Sequence, residues 1–255
     1  MDNLELARKL IPVVRAAGDI ELKYYNEGAE VIDKLDGSPV TLADQEAEAL
    51  IIEKLREIAP HIPMVGEESV AGGTIPDISG GTFFLVDPLD GTKEFITGGG
   101  DFTVNIALMV DFKPVMGIIF APVSGELYYG ADGEAFMSVK GGPEQKISVR
   151  QPPAEGITVV ASKRHGDPER LNEFLKDKKV AALFNRSSSL KFCALAAGQA
   201  DYYPRLGPTC EWDIAAGEAI LRAAGGAVTM VDGSPFLYGK ADKKFLNPEF
   251  IAFVP

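Results

Sequence analysis

The sequence predicts a layered protein of mixed class, α+β in its first part and α/β in its second. Three observations lead there. Two amphipathic helical stripes open the chain, a run of adjacent strands follows, and beyond Gln151-Pro152-Pro153 strands and helices alternate. The 255 residues suffice for one large domain or two smaller ones with real cores. Two domains are expected, 1–150 and 151–255.

Leu4, Ala7, Ile11 and Val14, with Leu6, Leu10, Val13 and Ala17, trace the first helix. Gly37-Ser38-Pro39 reads as a loop. The second helix covers 42–58, with Leu50, Ile51, Leu55 and Ile58 inward and Thr41-x-x-Asp44 as its capping box. The apolar stretch 62–65 reads as a strand ending at Gly66-Glu67-Glu68-Ser69. Thr82-Phe83-Phe84-Leu85-Val86 is a buried strand expected to stop at Asp87-Pro88, because proline lacks the N–H a ladder needs. Strands follow at 102–110, 115–120, 126–129 and 135–139, with turns at Asp111-Phe112-Lys113-Pro114 and Ser124-Gly125. After the junction come a strand at 157–161, a helix at 168–175, a strand at 180–184 and a helix at 188–197. A helix at 211–224 and a strand at 227–231 complete the set.

Hydrophobic residues make up 46% and charged residues 24%, values that exclude a disordered tail, a coiled coil and a collagen-like fibre. A formal net charge of −12 argues against a nucleic-acid polymer or a polybasic membrane anchor as partner. It allows a small anionic substrate, since bound divalent cations invert a local field. No apolar run approaches the roughly 18 residues of a membrane span. The acidic start, Met1-Asp2-Asn3-Leu4-Glu5, has no basic signal region, so a cytoplasmic location is expected. Cys193 and Cys210, without a C-x-x-C, are expected to be two buried thiols. His61 and His165 alone do not build a zinc or copper site, so any metal is expected on oxygen ligands, which favours Mg²⁺, Mn²⁺ or Ca²⁺.

No P-loop, G-x-G-x-x-G, G-x-S-x-G or H-E-x-x-H occurs. What stands out is a set of acids at breaks in structure. Asp87 and Asp90, three apart in Asp87-Pro88-Leu89-Asp90-Gly91-Thr92, can converge on one point, where a divalent cation would relieve their repulsion. Gly91 and Thr92 then offer backbone N–H groups to a phosphate. Each acid also has a plainer reading. The Asp-Pro segment suits a capped turn, Glu67 a solvated loop, Asp44 the partner of Thr41, and Asp213 the first turn of its helix. Together the four sites suit a two-metal cage for in-line phosphoryl displacement.

Glu67-Glu68, Asp87-Pro88-Leu89-Asp90-Gly91-Thr92 and Trp212-Asp213-x-Ala215-Ala216-Gly217 resemble, in order and spacing over essentially the whole chain, the signatures of the inositol monophosphatase-like superfamily. These are Mg²⁺-dependent, lithium-sensitive phosphatases with the layered α-β-α-β-α sandwich of the sugar-phosphatase type. The resemblance implies two or three Mg²⁺ per site, held by Glu67, Asp87, Asp90, Asp213 and the carbonyl of Leu89 between the two halves. It implies that Thr92 and Asp44 orient and deprotonate the attacking water, Glu67 sharing that task.

Asp90-Gly91-Thr92-Lys93-Glu94-Phe95-Ile96, Phe102-Thr103-Val104-Asn105-Ile106-Ala107-Leu108 and Tyr203-Pro204-Arg205-Leu206-Gly207-Pro208-Thr209 resemble the branch of CysQ-type 3′(2′),5′-bisphosphate nucleotidases. That branch removes the 3′-phosphate of adenosine 3′,5′-bisphosphate. Inositol monophosphatases usually place a sugar-reading acid near the position of Leu206; here Arg205 stands beside it, and a cation suits a second phosphate. Ala161-Ser162-Lys163-Arg164-His165-Gly166 resembles the segment where Ser162 and His165 approach the nucleotide, with Lys163 and Arg164 serving the retained phosphate; its plainer reading is a solvated loop. Lys191 is a further substrate candidate, or else an exposed helical lysine covering apolar surface. The rival activities are those of an inositol monophosphatase or a fructose-1,6-bisphosphatase, or, in another class, non-catalytic cation or nucleotide binding.

Overall fold

The computed structural model describes residues 2–28, 30–33, 39–163 and 167–255. Helix Asn3–Glu27 opens at an Asp2 cap, and helix Leu42–Ile58 at Thr41. Gly37 and Ser38 of the expected loop lie outside the described residues, while Pro39 already belongs to the short strand Pro39–Thr41.

A seven-stranded sheet follows chain order from edge to edge: Met64–Gly66, Phe83–Asp90, Thr103–Val110, Lys113–Ala121, Glu126–Ala131, Glu134–Val139 and Gln145–Ile147. Only its first pair is parallel; hairpins make the rest antiparallel. The turn after Val110 is tighter than expected. Asp111 and Phe112 alone form it, both at positive φ, and Lys113 and Pro114 already lie in the next strand.

The strand with Asp87 does not stop at Asp87-Pro88. It continues to Asp90 through an irregularity: Asp87 pairs with Asn105, but Asp90 with Thr103. Three steps on one strand face two on the other, so one residue is extra. Such a bulge absorbs the proline without a missing ladder bond and re-aims the side chains beyond it.

Alternation along this sheet sets two cores. Phe84 and Val86 join Val104, Ile106 and Ile118 under the two N-terminal helices. Phe83 and Leu85 face the other way, with Met109 and Ile119, onto helices Leu190–Ala196 and Glu211–Ala223. Beneath those helices lies a five-stranded sheet, ordered Val180–Arg186, Ile157–Ser162, Tyr202–Arg205, Phe250–Phe253 and Ala227–Met230. Its first two pairings are parallel and the last two antiparallel. Helix Pro168–Leu175, capped by Asp167, buries only Leu175. The layers are those of the expected sandwich. Helix Glu211–Ala223 seats against the first sheet at Gly117, where a Cβ would stand 2.2 Å from the carbonyl oxygen of Ala216. Cys193 is buried as expected; Cys210 is only half-buried, and both are free thiols.

Candidate active site

Asp87 shares the parity of Phe83 and Leu85, so its carboxylate enters the inner face of the sheet, where it is 1% exposed. Its Oδ1 accepts the backbone N–H of Leu89 at 3.0 Å, which holds the bulge. Glu67 begins the short helix Glu67–Ala71 at the end of the neighbouring strand. Asp213 lies in the first turn of Glu211–Ala223, and its Oδ2 accepts the N–H of Cys210 at 2.8 Å. Three distant segments thus bring Glu67, Asp87 and Asp213 together, with one carboxylate oxygen of each within 4.8 Å of the others. Asp90 stands beside this group. The Ser189 hydroxyl lies 3.1 Å from Asp90 Oδ2 and 2.6 Å from the Asp213 carbonyl, tying the two acidic segments together.

The charges in this cluster oppose one another. Burial first, then Glu67, Asp90 and Asp213, hold the Asp87 carboxyl well above the usual range. Burial, then Asp90 and Glu67, push Asp213 up to about 8. Asp90 is raised by burial, against the pull of the Lys191 charge and the Ser189 hydrogen bond. A hard divalent cation fits this donor set, since it relieves both repulsion and desolvation and takes oxygen ligands.

The two oxygens of Asp44 face different partners. Oδ2 accepts the N–H and hydroxyl of Thr41 at 2.8 and 2.7 Å, closing the cap. Oδ1 faces the Thr92 hydroxyl at 3.4 Å. That hydroxyl also lies 3.3 Å from the carbonyl of Leu89. Gly91 precedes Thr92 at φ +102°, and a Cβ there would stand 2.4 Å from Ser188 Oγ, so backbone conformation and space both demand glycine.

The acids open into a hollow of about 420 Å³. Glu67, Asp87, Leu89, Asp90, Gly91, Thr92, Ser162, Lys191, Arg205 and Asp213, all singled out from the sequence, line it. Lys191 is not an exposed helical lysine: it is 4% exposed, with its ammonium 2.6 Å from the Ser188 carbonyl and over the Tyr203 ring. Burial pulls it down to about 8 against the counter-pull of Asp90. Arg205 is also buried, and its Nη2 donates to the Pro208 carbonyl at 2.8 Å. Lys163 turns elsewhere, pairing with Asp101 at 2.6 Å. Arg164 and His165 lie outside the described residues. Sequence reasoning missed Lys93, Glu94, Tyr203, Ser187 and Ser188 in the lining, and Ser189, which bridges Asp90 and Asp213. The serine run was readable only as polar chain at a helix start.

The model of the inositol monophosphatase family matches residues 2–248. The chain is 43% identical over 240 residues to the 3′(2′),5′-bisphosphate nucleotidase CysQ of Shigella flexneri, covering 93% of this chain and 95% of that one. It is 42% identical over 248 residues to the protein of the same name from Salmonella typhimurium, covering 96% and 98%. Among solved structures, CysQ from Bacteroides thetaiotaomicron, described as a bacterial member of the inositol monophosphatase family, superposes with a TM-score of 0.82 at 35% identity, covering 98% of this chain and 97% of that one.

Proposed function

The chain belongs to the inositol monophosphatase family, and from that premise we propose that it is a 3′(2′),5′-bisphosphate nucleotidase. It removes the 3′-phosphate of adenosine 3′,5′-bisphosphate to give adenosine monophosphate and phosphate. The meeting of an acidic cluster and two buried cations in one hollow carries this reading. The nucleotidase relatives support it.

Glu67, Asp87, Asp90, Asp213 and the Leu89 carbonyl are the groups that would hold Mg²⁺, two or three ions per site. Bound there, the ions supply Lewis acidity and offset the charge of the phosphoryl group in transfer. The protein's own part begins at Thr92. Its hydroxyl donates toward Asp44 Oδ1 and accepts from the attacking water, so a proton passes along this line to Asp44. Glu67 shares the orientation of that water. The water oxygen bonds to phosphorus as the bond to the ribose 3′ oxygen breaks; that oxygen takes up a proton from solvent to become the 3′-hydroxyl of adenosine monophosphate, and the proton held by Asp44 is given back to solvent. Gly91 and Thr92 border the phosphoryl group that leaves. Lys191 and Arg205 receive the phosphate that stays, with Ser162 toward the nucleoside. The halves 1–150 and 151–255 supply opposite walls. No helix among the described residues is long and apolar enough to cross a membrane.

Phosphate release in Mg²⁺ from adenosine 3′,5′-bisphosphate, inositol monophosphate and fructose 1,6-bisphosphate tests the assignment. The bisphosphonucleoside is expected to be the best substrate. Preference for either sugar phosphate overturns the nucleotidase reading.

A further inference from the structure

Glu48 lies one turn beyond Asp44 on helix Leu42–Ile58. That spacing puts two side chains on one face, about 6 Å apart. Glu48 is 3% exposed, and none of the roles above uses it. Its Oε2 accepts the backbone N–H of Glu68 at 2.8 Å. Its Oε1 accepts the N–H of Ser69 at 2.8 Å and the Ser69 hydroxyl at 2.5 Å. On the other side of Glu67, Gly66 presses on the same carboxyl, and a Cβ there would stand 2.6 Å from Glu48 Cδ.

Both flanks of Glu67 therefore rest on one carboxylate. Three donors satisfy a charge that burial alone would disfavour. With its backbone anchored on that side, Glu67 reaches the opposite way, to Asp87 and Asp213. Asp44 and Glu48, from one rigid helix, thus touch two separate walls of the site, Thr92 and the segment bearing Glu67.

We propose that Glu48 is a positioning residue that fixes Glu67 within the acidic cluster and so sets its affinity for a divalent cation, touching neither ion nor substrate. The inference rests on the metal-site reading given above. Glu48→Gln tests it, because the amide nitrogen sets a donor against the N–H of Glu68 or Ser69. Direct Mn²⁺ binding, followed by electron paramagnetic resonance, is expected to weaken about tenfold, as loss of a partner behind a ligand generally does. The half-saturating Mg²⁺ concentration should rise by a similar factor, while kcat at saturating Mg²⁺ and the substrate KM stay within about twofold.

A Glu48→Gln protein that melts lower in chelator yet binds Mn²⁺ with wild-type affinity overturns the proposal, since Glu48 would then be a helix cap alone. If that variant does not fold, Ser69→Ala decides. Removing one of the three donors should weaken Mn²⁺ by about threefold, and unchanged affinity overturns the proposal. Glu67→Gln separates the two readings. Its own failure to weaken Mn²⁺ binding refutes the metal site, whereas a weakened Glu67→Gln beside an unaffected Glu48→Gln refutes only the positioning role.

Discussion

The Thr92 hydroxyl stands 3.4 Å from Asp44 Oδ1, while the other oxygen of that carboxylate caps the helix through Thr41. One side chain therefore closes a helix cap and, in the mechanism proposed above, takes part in the chemistry. Asp44→Asn separates them: its amide oxygen can keep the Thr41 contacts and its NH₂ can meet Thr92, but it takes no proton. A fall in kcat of about 10²–10⁴ is expected. The melting temperature should hold within about 2 °C, less than about 1 kcal/mol in a chain of this size. Steady-state kinetics beside a thermal melt check both halves.

Asp90→Asn should abolish turnover and leave the fold intact. Burial already opposes the Asp90 charge, and Ser189 can donate to an amide oxygen. In chelator the variant should melt no lower than the parent. Near-normal phosphate release in Mg²⁺ would refute the role given to Asp90.

Metal-free protein should lose stability as pH rises. Asp213 titrates near 8 when folded, against about 3.9 when unfolded. Between those values the folded state binds more protons than the unfolded one, so stability falls with pH across the window and levels off above it. Asp87 and Glu21 shift in the same direction. Both Glu21 oxygens are buried without a partner among the described residues. Calorimetry in chelator should give a lower melting temperature at pH 8 than at pH 5.5, and added Mg²⁺ should raise the pH 8 value more. A flat profile would contradict the charge crowding described here.

Lys191→Met removes the buried ammonium but keeps much of the stem. The KM for adenosine 3′,5′-bisphosphate should rise about tenfold or more, the worth of one hydrogen bond to a charged group. A substrate with a single phosphate should show little change. Equal losses on both substrates would place Lys191 with the acids rather than with the retained phosphate.

Gly117→Ala probes the seam between sheet and helix. A Cβ 2.2 Å from the Ala216 carbonyl must push Glu211–Ala223 outward. Destabilisation of about 1–3 kcal/mol follows from overpacking, and because the same helix carries Asp213, Mn²⁺ affinity should fall with it. Denaturant unfolding and metal titration together test this.

Much of this was legible where side chains mark an element's ends. Thr41 with Asp44 locates one helix start to the residue, and Pro168 marks a second. The spacing of Asp87 and Asp90 exposed the acidic site because it is local. Pro88 misled because a lost ladder bond reads as a stop, whereas a bulge absorbs it. Tyr202–Arg205 escaped notice because Pro204 argues against a strand, and Gln145–Ile147 and Phe250–Phe253 are too short for period two to stand out. The burial of Lys191 depends on Tyr203, across a layer that the sequence does not connect to it. Glu48 was visible as one more acid on a helix, and only the fold places Ser69 beside it.

The notch at Gly117 also orders events during synthesis. Glu67 and Asp87 leave the ribosome well before Asp213, and the early sheet can pair its strands while the last acid is still untranslated. The trio closes only when the late helix drops into that notch. On the metal-site reading proposed above, a nascent chain should stay silent toward phosphate esters until that helix has docked and brought Asp213 to Glu67 and Asp87.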